Sequence, residues 1–362
     1  MSGAPSAEAP APPGLGAKDY RLFVVVGLLT AASALTAHLH VGAVVPFAVS
    51  AVALGGLAMV VGRSIDGLGE RLGPGMTGVV QSALGNLPEL FVGIFALRAG
   101  LVGVVQSALV GSVLANVLLV LGLAFVAGGL RHGTQHFAAA VARTTALLLV
   151  LAVAVLIVPT MTAHLNLPAA SHEKVFSDIA SVVLLVVYAL FIVHTVQGRR
   201  GADDVRQPGP WPLGAVVVVL SAASVGAAFV SDWFVAALTP ALGVLHMSEA
   251  FAGLVVVAIA GNAVENVVGI RLAAQGRAEY ALSIILQSPV QIALALFPFL
   301  VLISPLLGGA TLTLVLPPLL ALVLVLATVI TFMVVADGES TWLEGACLVG
   351  LYVVVATAFW WG

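Results

Sequence analysis

Charge and cysteine are both scarce in this sequence. Only 8% of its 362 residues are Asp, Glu, Lys or Arg, and the formal net charge is −3. There is no basic cluster either, so the charge balance gives nucleic acid no footing. The single cysteine, Cys347, excludes an intramolecular disulfide and a CxxC metal site. His38, His40, His132, His136, His164, His172, His194 and His246 show no metal-ligand spacing. Paired aspartates inside apolar runs and aspartate-rich clusters are absent. An aspartyl intramembrane protease and a prenyl transferase are thereby excluded, and no enzymatic activity is expected. The opening MSGAPSAEAPAPPGLGAKDY has no charged segment ahead of an apolar core. It is not a secretory signal, and residues 1–19 read as a disordered tail.

What the sequence has in excess is apolar length. Hydrophobic residues make up 61% of the chain, more than a soluble protein of this size can hide. Runs of some twenty apolar residues follow one another, each long enough to cross a ~30 Å hydrocarbon core. The fold class is therefore an all-α polytopic membrane protein with about eleven transmembrane helices. The expected spans are 22–38, 41–63, 75–99, 102–128, 137–159, 173–197, 212–236, 247–271, 279–304, 310–335 and 340–361. With the N-terminus placed in the cytoplasm, only Arg98 and Lys174 of the 13 Lys and Arg residues fall on the outer side. That bias orients the chain N-terminus in and C-terminus out.

The stretch GNLPEL, Gly85 to Leu90, puts an amide and a carboxylate into one of these runs. It has a twin 176 residues on, GNAVEN, Gly261 to Asn266. The same offset pairs Val79 and Val80 with Val255 and Val256, and Ser112 with Ser288. The two motif-bearing spans cross in opposite directions. This is an inverted-topology repeat, a plan that places the binding site near the midplane where the halves meet. The division is an extra first helix at 20–38, a first repeat at 41–197, a linker at 198–211 and a second repeat at 212–362.

The spacing supplies the chemistry. Asn86 and Glu89 share a helix face, as do Asn262 and Glu265; Ser112 with Asn116, and Ser288 with Gln291, do the same in the spans that follow. Pro88 removes a backbone hydrogen bond and frees a carbonyl near Leu84. Carboxylates, amides and hydroxyls are the oxygen ligands of a hard cation; calcium takes 6–8 of them at roughly 2.3–2.6 Å. Two carboxylates balance two positive charges. Facing carboxylates away from water also take up protons, so a cation and protons compete for Glu89 and Glu265. Competition at a site that opens to either side in turn is exchange.

The segments GNLPELFVGIFALRAGLVGVVQSALVGSVLANVLLVLGLAF, GNAVENVVG and ADGESTWLEG resemble the calcium/proton exchanger (CAX) family of the cation/calcium exchanger superfamily, from about residue 20 onward. The resemblance implies one extra helix and two inverted five-helix halves, and export of cytosolic calcium in exchange for protons. It assigns the paired motif glutamates to Glu89 and Glu265, their asparagines to Asn86 and Asn262, and a Gly-Ser pair to Gly111 and Ser112. Two positions depart from the family. Asn266 stands where the family usually has histidine, and Gln287 stands where the second repeat usually has glycine. A compact prokaryotic protein of the bacterial inner membrane is expected, with calcium as transported substrate and no cofactor.

Other polar residues have plainer explanations beside the functional one. Glu249 follows Ser248 at a span start, where capping and the helix dipole account for it; the resemblance makes it an acidic residue that helps cations enter or leave. Asp337 and Glu339 read either as a cytoplasmic cation-collecting patch or as the lead-in to a capping box at Thr341 and Glu344. Asp66 and Glu70 sit near Arg63 and Arg71 as interfacial pairs. The rival function is the same machine carrying sodium or potassium against protons. A single monovalent ion would leave one of two buried carboxylates uncompensated, which disfavours it.

Overall fold

The computed structural model describes residues 15–39, 41–198 and 211–361; the side chains of residues 66–83 and 264 lie outside the described part. Most of the expected tail, the linker between the halves, and Asp66, Glu70, Arg71, Val79 and Val80 therefore lie outside it too.

Helices dominate, as apolar runs in lipid require, because only intra-segment hydrogen bonds satisfy the backbone there. They are α1 (Ala17–His38), α2 (Val44–Leu84), α3 (Leu87–Arg98), α4 (Val102–His132), α5 (Ala139–His164), α6 (Glu173–Gly198), α7 (Leu213–Leu245), α8 (Glu249–Gly261), α9 (Ala263–Ala274), α10 (Ala278–Leu306), α11 (Pro318–Val335) and α12 (Trp342–Trp360). Among the described residues nine helices are long and apolar enough to cross a membrane, or ten if α8 and α9 form one broken span. The remaining expected span, the third at 75–99, begins in the part whose side chains are not described, and its backbone is continuous with that of the second.

Two expectations need correction. Residues 310–335 are not one span. Residues 310–317 run extended, and α11 begins only at Pro318. Pro317 and Pro318 hold the backbone out of the helical region up to that point. Leu312, Leu314 and Leu316 point inward at 0–1% exposure, the period-two pattern of an extended chain. The backbone of this strap is satisfied by side chains. Thr160 Oγ1 donates to Leu314 O (3.0 Å) and accepts from Leu316 N (3.1 Å), Ser177 Oγ accepts from Leu314 N (3.1 Å), and Gln106 Nε2 donates to Val315 O (2.8 Å). The strap thus laces the second half to α4, α5 and α6. The other correction is at the start, where α1 begins at Ala17 rather than at residue 20. Asp19 explains this. It accepts from Gly16 N (3.0 Å), pairs with Arg63 of α2 (3.2 Å) and accepts from Trp211 Nε1 just before α7 (3.0 Å), tying the extra helix to both.

The inverted repeat is visible in the backbone. Both motif helices break, at Asn86 (φ −98°, ψ 24°) and Asn262 (φ −92°, ψ 23°). The helix in α4 loosens to a π segment at Ala115–Val120, and α10 does so at Ile292–Leu296, ending again 176 residues on. Such segments favour functional positions. At the opposite end from the strap, β1 (Gln135–His136) pairs antiparallel with β2 (Glu339–Ser340), joining the halves there.

Candidate ion-binding site

The site is built on the two breaks. Glu89 and Glu265 occupy the same position, in the first turn of the half-helices α3 and α9. The positive end of a helix dipole favours a carboxylate there. The proline-based expectation is corrected. Pro88 lies in the first turn of α3, where its missing N–H costs nothing, and the proline-free twin breaks with nearly the same backbone angles. What the two breaks share is an asparagine at the broken turn.

Asn86 and Asn262 stand at helix N-caps, yet neither side chain caps its helix. Both turn into a polar layer instead. Asn86 Nδ2 donates to Gln291 Oε1 (3.3 Å), so the first motif reaches the second half. Asn116 Nδ2 donates to Asn262 Oδ1 (3.1 Å), so the first half reaches the second motif. Ser288 Oγ also donates to Asn262 Oδ1 (3.0 Å), and Asn262 Nδ2 donates to Ala258 O (3.0 Å). Asn86, Asn116, Asn262, Ser288 and Gln291 are all buried. The layer therefore unites six of the eight residues singled out in sequence, counting Glu89 beside it, and Ser112 lies one turn from Asn116 on α4.

Glu89 is 6% exposed, and its Oε1 packs against Gly261; a Cβ at Gly261 would stand 2.6 Å from it. Glu265 is half-buried and within electrostatic reach of Glu89. The space beside Glu89 is an enclosed cavity of about 10 Å³ between α3 and α4, walled by Val92, Ala96, Val104, Val105 and Leu109. Towards the far end of α3, then, the space beside the site is lined by apolar side chains. Four oxygens at this centre lack any hydrogen-bond partner: Glu89 Oε2, Ser112 Oγ, Asn116 Oδ1 and Asn266 Oδ1. The close approach of α4 and α8 that forms the wall needs glycine. A Cβ at Gly111 would stand 2.4 Å from Leu254 Cα, and one at Gly253 would stand 2.6 Å from Val104 O.

The secondary acidic residues lie away from this layer. Glu249 is exposed beside Gly103, at a helix start capped by Ser248, whose Oγ accepts from Phe251 N (3.0 Å). Asp337 and Glu339 are exposed; Asp337 accepts from Glu339 N (3.1 Å), and Glu339 faces His136 (3.5 Å). The capping box is present, with Thr341 N donating to Glu344 Oε2 (2.7 Å) and Glu344 N to Thr341 Oγ1 (3.3 Å). Asp19 and the strap-binding Gln106 and Thr160 escaped the sequence reading. Asp19 fell in the supposed tail; a glutamine and a threonine inside apolar runs were the available signal for the other two.

Two inverted repeats meeting at a buried layer of carboxylates and amides define a membrane ion exchanger. The chain belongs to the sodium/calcium exchanger protein family, which matches residues 42–197 and 215–361. It is 33% identical over 345 residues to the Ca²⁺/H⁺ antiporter ChaA of Bacillus subtilis (strain 168), covering 93% of this chain and 98% of that one. It is 31% identical over 300 residues to the vacuolar calcium ion transporter of Schizosaccharomyces pombe, covering 80% and 72%. The structure of native YfkE superposes with a TM-score of 0.81 at 30% identity, covering 94% of this chain and 99% of that one. The H⁺/Ca²⁺ exchanger CAX superposes at 0.77 with 15% identity, covering 95% and 92%, a likeness of fold. The resemblance read from the three signatures is borne out.

Proposed function

We propose that the protein is a Ca²⁺/H⁺ antiporter that exports cytosolic calcium in exchange for protons by alternating access. Glu89 and Glu265 bind calcium or protons in turn. Ser112 and Asn116 offer neutral oxygens, while Asn86, Asn262, Ser288 and Gln291 orient the layer. The halves 41–197 and 212–362 are the units that rearrange, joined by the linker 198–211. The membrane is a bacterial inner membrane, with the N-terminus inside and the C-terminus outside, in keeping with the sidedness of Lys and Arg. The names of the bacterial and yeast relatives support calcium and protons as the ions.

The observation that carries the reading is the set of oxygens without donors around the Gly261–Asn262 break. Buried acceptors ordinarily have a donor; acceptors left bare beside a carboxylate match a hard divalent cation. With the cation gone, two facing carboxylates repel, and protons relieve that repulsion. The apolar lining beside Glu89 fits a site closed towards the far end of α3 and reached from the side of Glu265.

The test is calcium uptake into proteoliposomes under an imposed proton gradient, comparing wild type with Glu89→Gln and Glu265→Gln. Gradient-driven uptake in the wild type and its loss in both variants is the expected result. Sodium or potassium movement without calcium movement would replace the reading by the monovalent one. Uptake that survives both substitutions would remove these glutamates from the site.

A further inference from the structure

A second recess lies away from the polar layer, next to the β1–β2 pair. It runs between α5 of the first half and α10 of the second, with a volume of about 530 Å³, within the range of small-ligand sites. Buried Leu282 and Leu286 form an apolar floor, and the exposed Val141, Glu279 and Tyr280 stand at its mouth. Tyr280 and Val141 are each 60% exposed, so the recess opens on the outer surface of the helical body. An aromatic ring at such a mouth sits at headgroup level. The Arg277 guanidinium lies 4.5 Å from the centre of the Tyr280 ring. The mouth therefore offers one cation and one anion, and neither Arg277 nor Glu279 is in an ion pair among the described residues.

We propose that this recess seats a phospholipid whose headgroup carries both a phosphate and a primary amine, a phosphatidylethanolamine. One acyl chain covers the apolar floor, which would otherwise face disordered lipid. The phosphate pairs with Arg277, whose fork of N–H donors suits it. The ammonium group donates to the Glu279 carboxylate. A purely anionic headgroup satisfies Arg277 but is repelled by Glu279. A choline headgroup has no N–H to give the carboxylate. Of these three headgroups, the amine-bearing zwitterion alone meets both charges. A lipid held here touches both repeats at once.

The test is native mass spectrometry of the delipidated full-length protein, titrated with phosphatidylethanolamine, phosphatidylglycerol and phosphatidylcholine of identical chains. Wild type is expected to retain phosphatidylethanolamine several-fold over the other two. Glu279→Gln is expected to abolish that preference while keeping overall retention, and Arg277→Gln to weaken retention of all three. Both positions are surface-facing, and a single size-exclusion peak confirms folding. Equal retention of the three lipids by wild type, or an unchanged preference in Glu279→Gln, overturns the proposal. So does a shift between monomer and dimer with lipid binding unaltered, which would make the recess a contact between two copies. The readout is binding alone, so its failure is distinct from failure of the exchange reading.

Discussion

At the scale of single residues, the site depends on what Gly261 leaves out. Its missing side chain is the space that the Glu89 carboxylate occupies, at 2.6 Å from where a Cβ would stand. Gly261→Ala must push the carboxylate away, and overpacking of this kind costs roughly 1–3 kcal/mol. Because about 1.4 kcal/mol is a factor of ten, gradient-driven calcium uptake by Gly261→Ala is expected to fall by about fivefold to a hundredfold in protein that still elutes as a folded species. Gly214→Ala, with nothing within 4 Å of the added methyl, is the matched control and should transport like wild type. Gly111→Ala makes a different prediction. Its Cβ meets the backbone of Leu254 rather than a movable carboxylate, so the variant should lose thermal stability in detergent as well as transport. Equal melting temperatures for Gly111→Ala and wild type would show that α4 and α8 are not in the direct backbone contact described.

At the scale of elements, the strap at 310–317 is held by polar side chains of the first half. Thr160, fully buried, bonds both a carbonyl and an N–H of the strap, at 3.0 and 3.1 Å. Thr160→Val keeps the shape and strands both groups, at about 1–3 kcal/mol for each buried group left unmade. Thr162 bonds only Pro159 O of its own helix (2.8 Å). Thr160→Val is therefore expected to lower the melting temperature by several degrees and Thr162→Val to leave it nearly unchanged, as followed by thermal unfolding in detergent. The strap also marks where legibility ended. The alternation of Leu312, Leu314 and Leu316 before a Pro-Pro pair was a readable sign of extended chain, but it was absorbed into a long apolar run. The motif pair was legible because both members stand in one sequence at a constant offset. The bonds from Asn86 to Gln291 and from Asn116 to Asn262 were not, since they join residues 205 and 146 apart, and no periodicity reports a contact between halves. The π segments escaped for a related reason: one extra residue in a turn leaves a uniformly apolar run looking the same.

At the scale of the whole molecule, the question is how much charge one transport cycle moves. Glu89 is the only charged group among the buried residues of the central layer in the described structure, and Glu265 is its half-buried counterpart. Asn266, beside Glu265, is an amide whose Oδ1 has no partner, so it offers an oxygen to a cation but no titrating group. If protons ride only on the two glutamates, at most two are exchanged for one calcium ion, and the cycle moves no net charge. A third proton would make it electrogenic. One elementary charge moved across 100 mV is worth about 2.3 kcal/mol, which shifts the equilibrium calcium accumulation on the order of fifty-fold, since about 1.4 kcal/mol is tenfold. The two ratios therefore separate cleanly in proteoliposomes clamped by potassium and valinomycin. Calcium accumulation at a fixed proton gradient is expected to stay the same whether the interior is clamped at +100 or −100 mV (about ±100 mV being the range over which such a charge would register). A steep dependence on the sign of the potential would mean that another group carries a proton beside the two glutamates. Asn266→His is the companion variant. If it restores a titrating group to the layer, exchange should become voltage-sensitive in the variant while the wild type remains indifferent, and that contrast would place the proton stoichiometry in this one side chain.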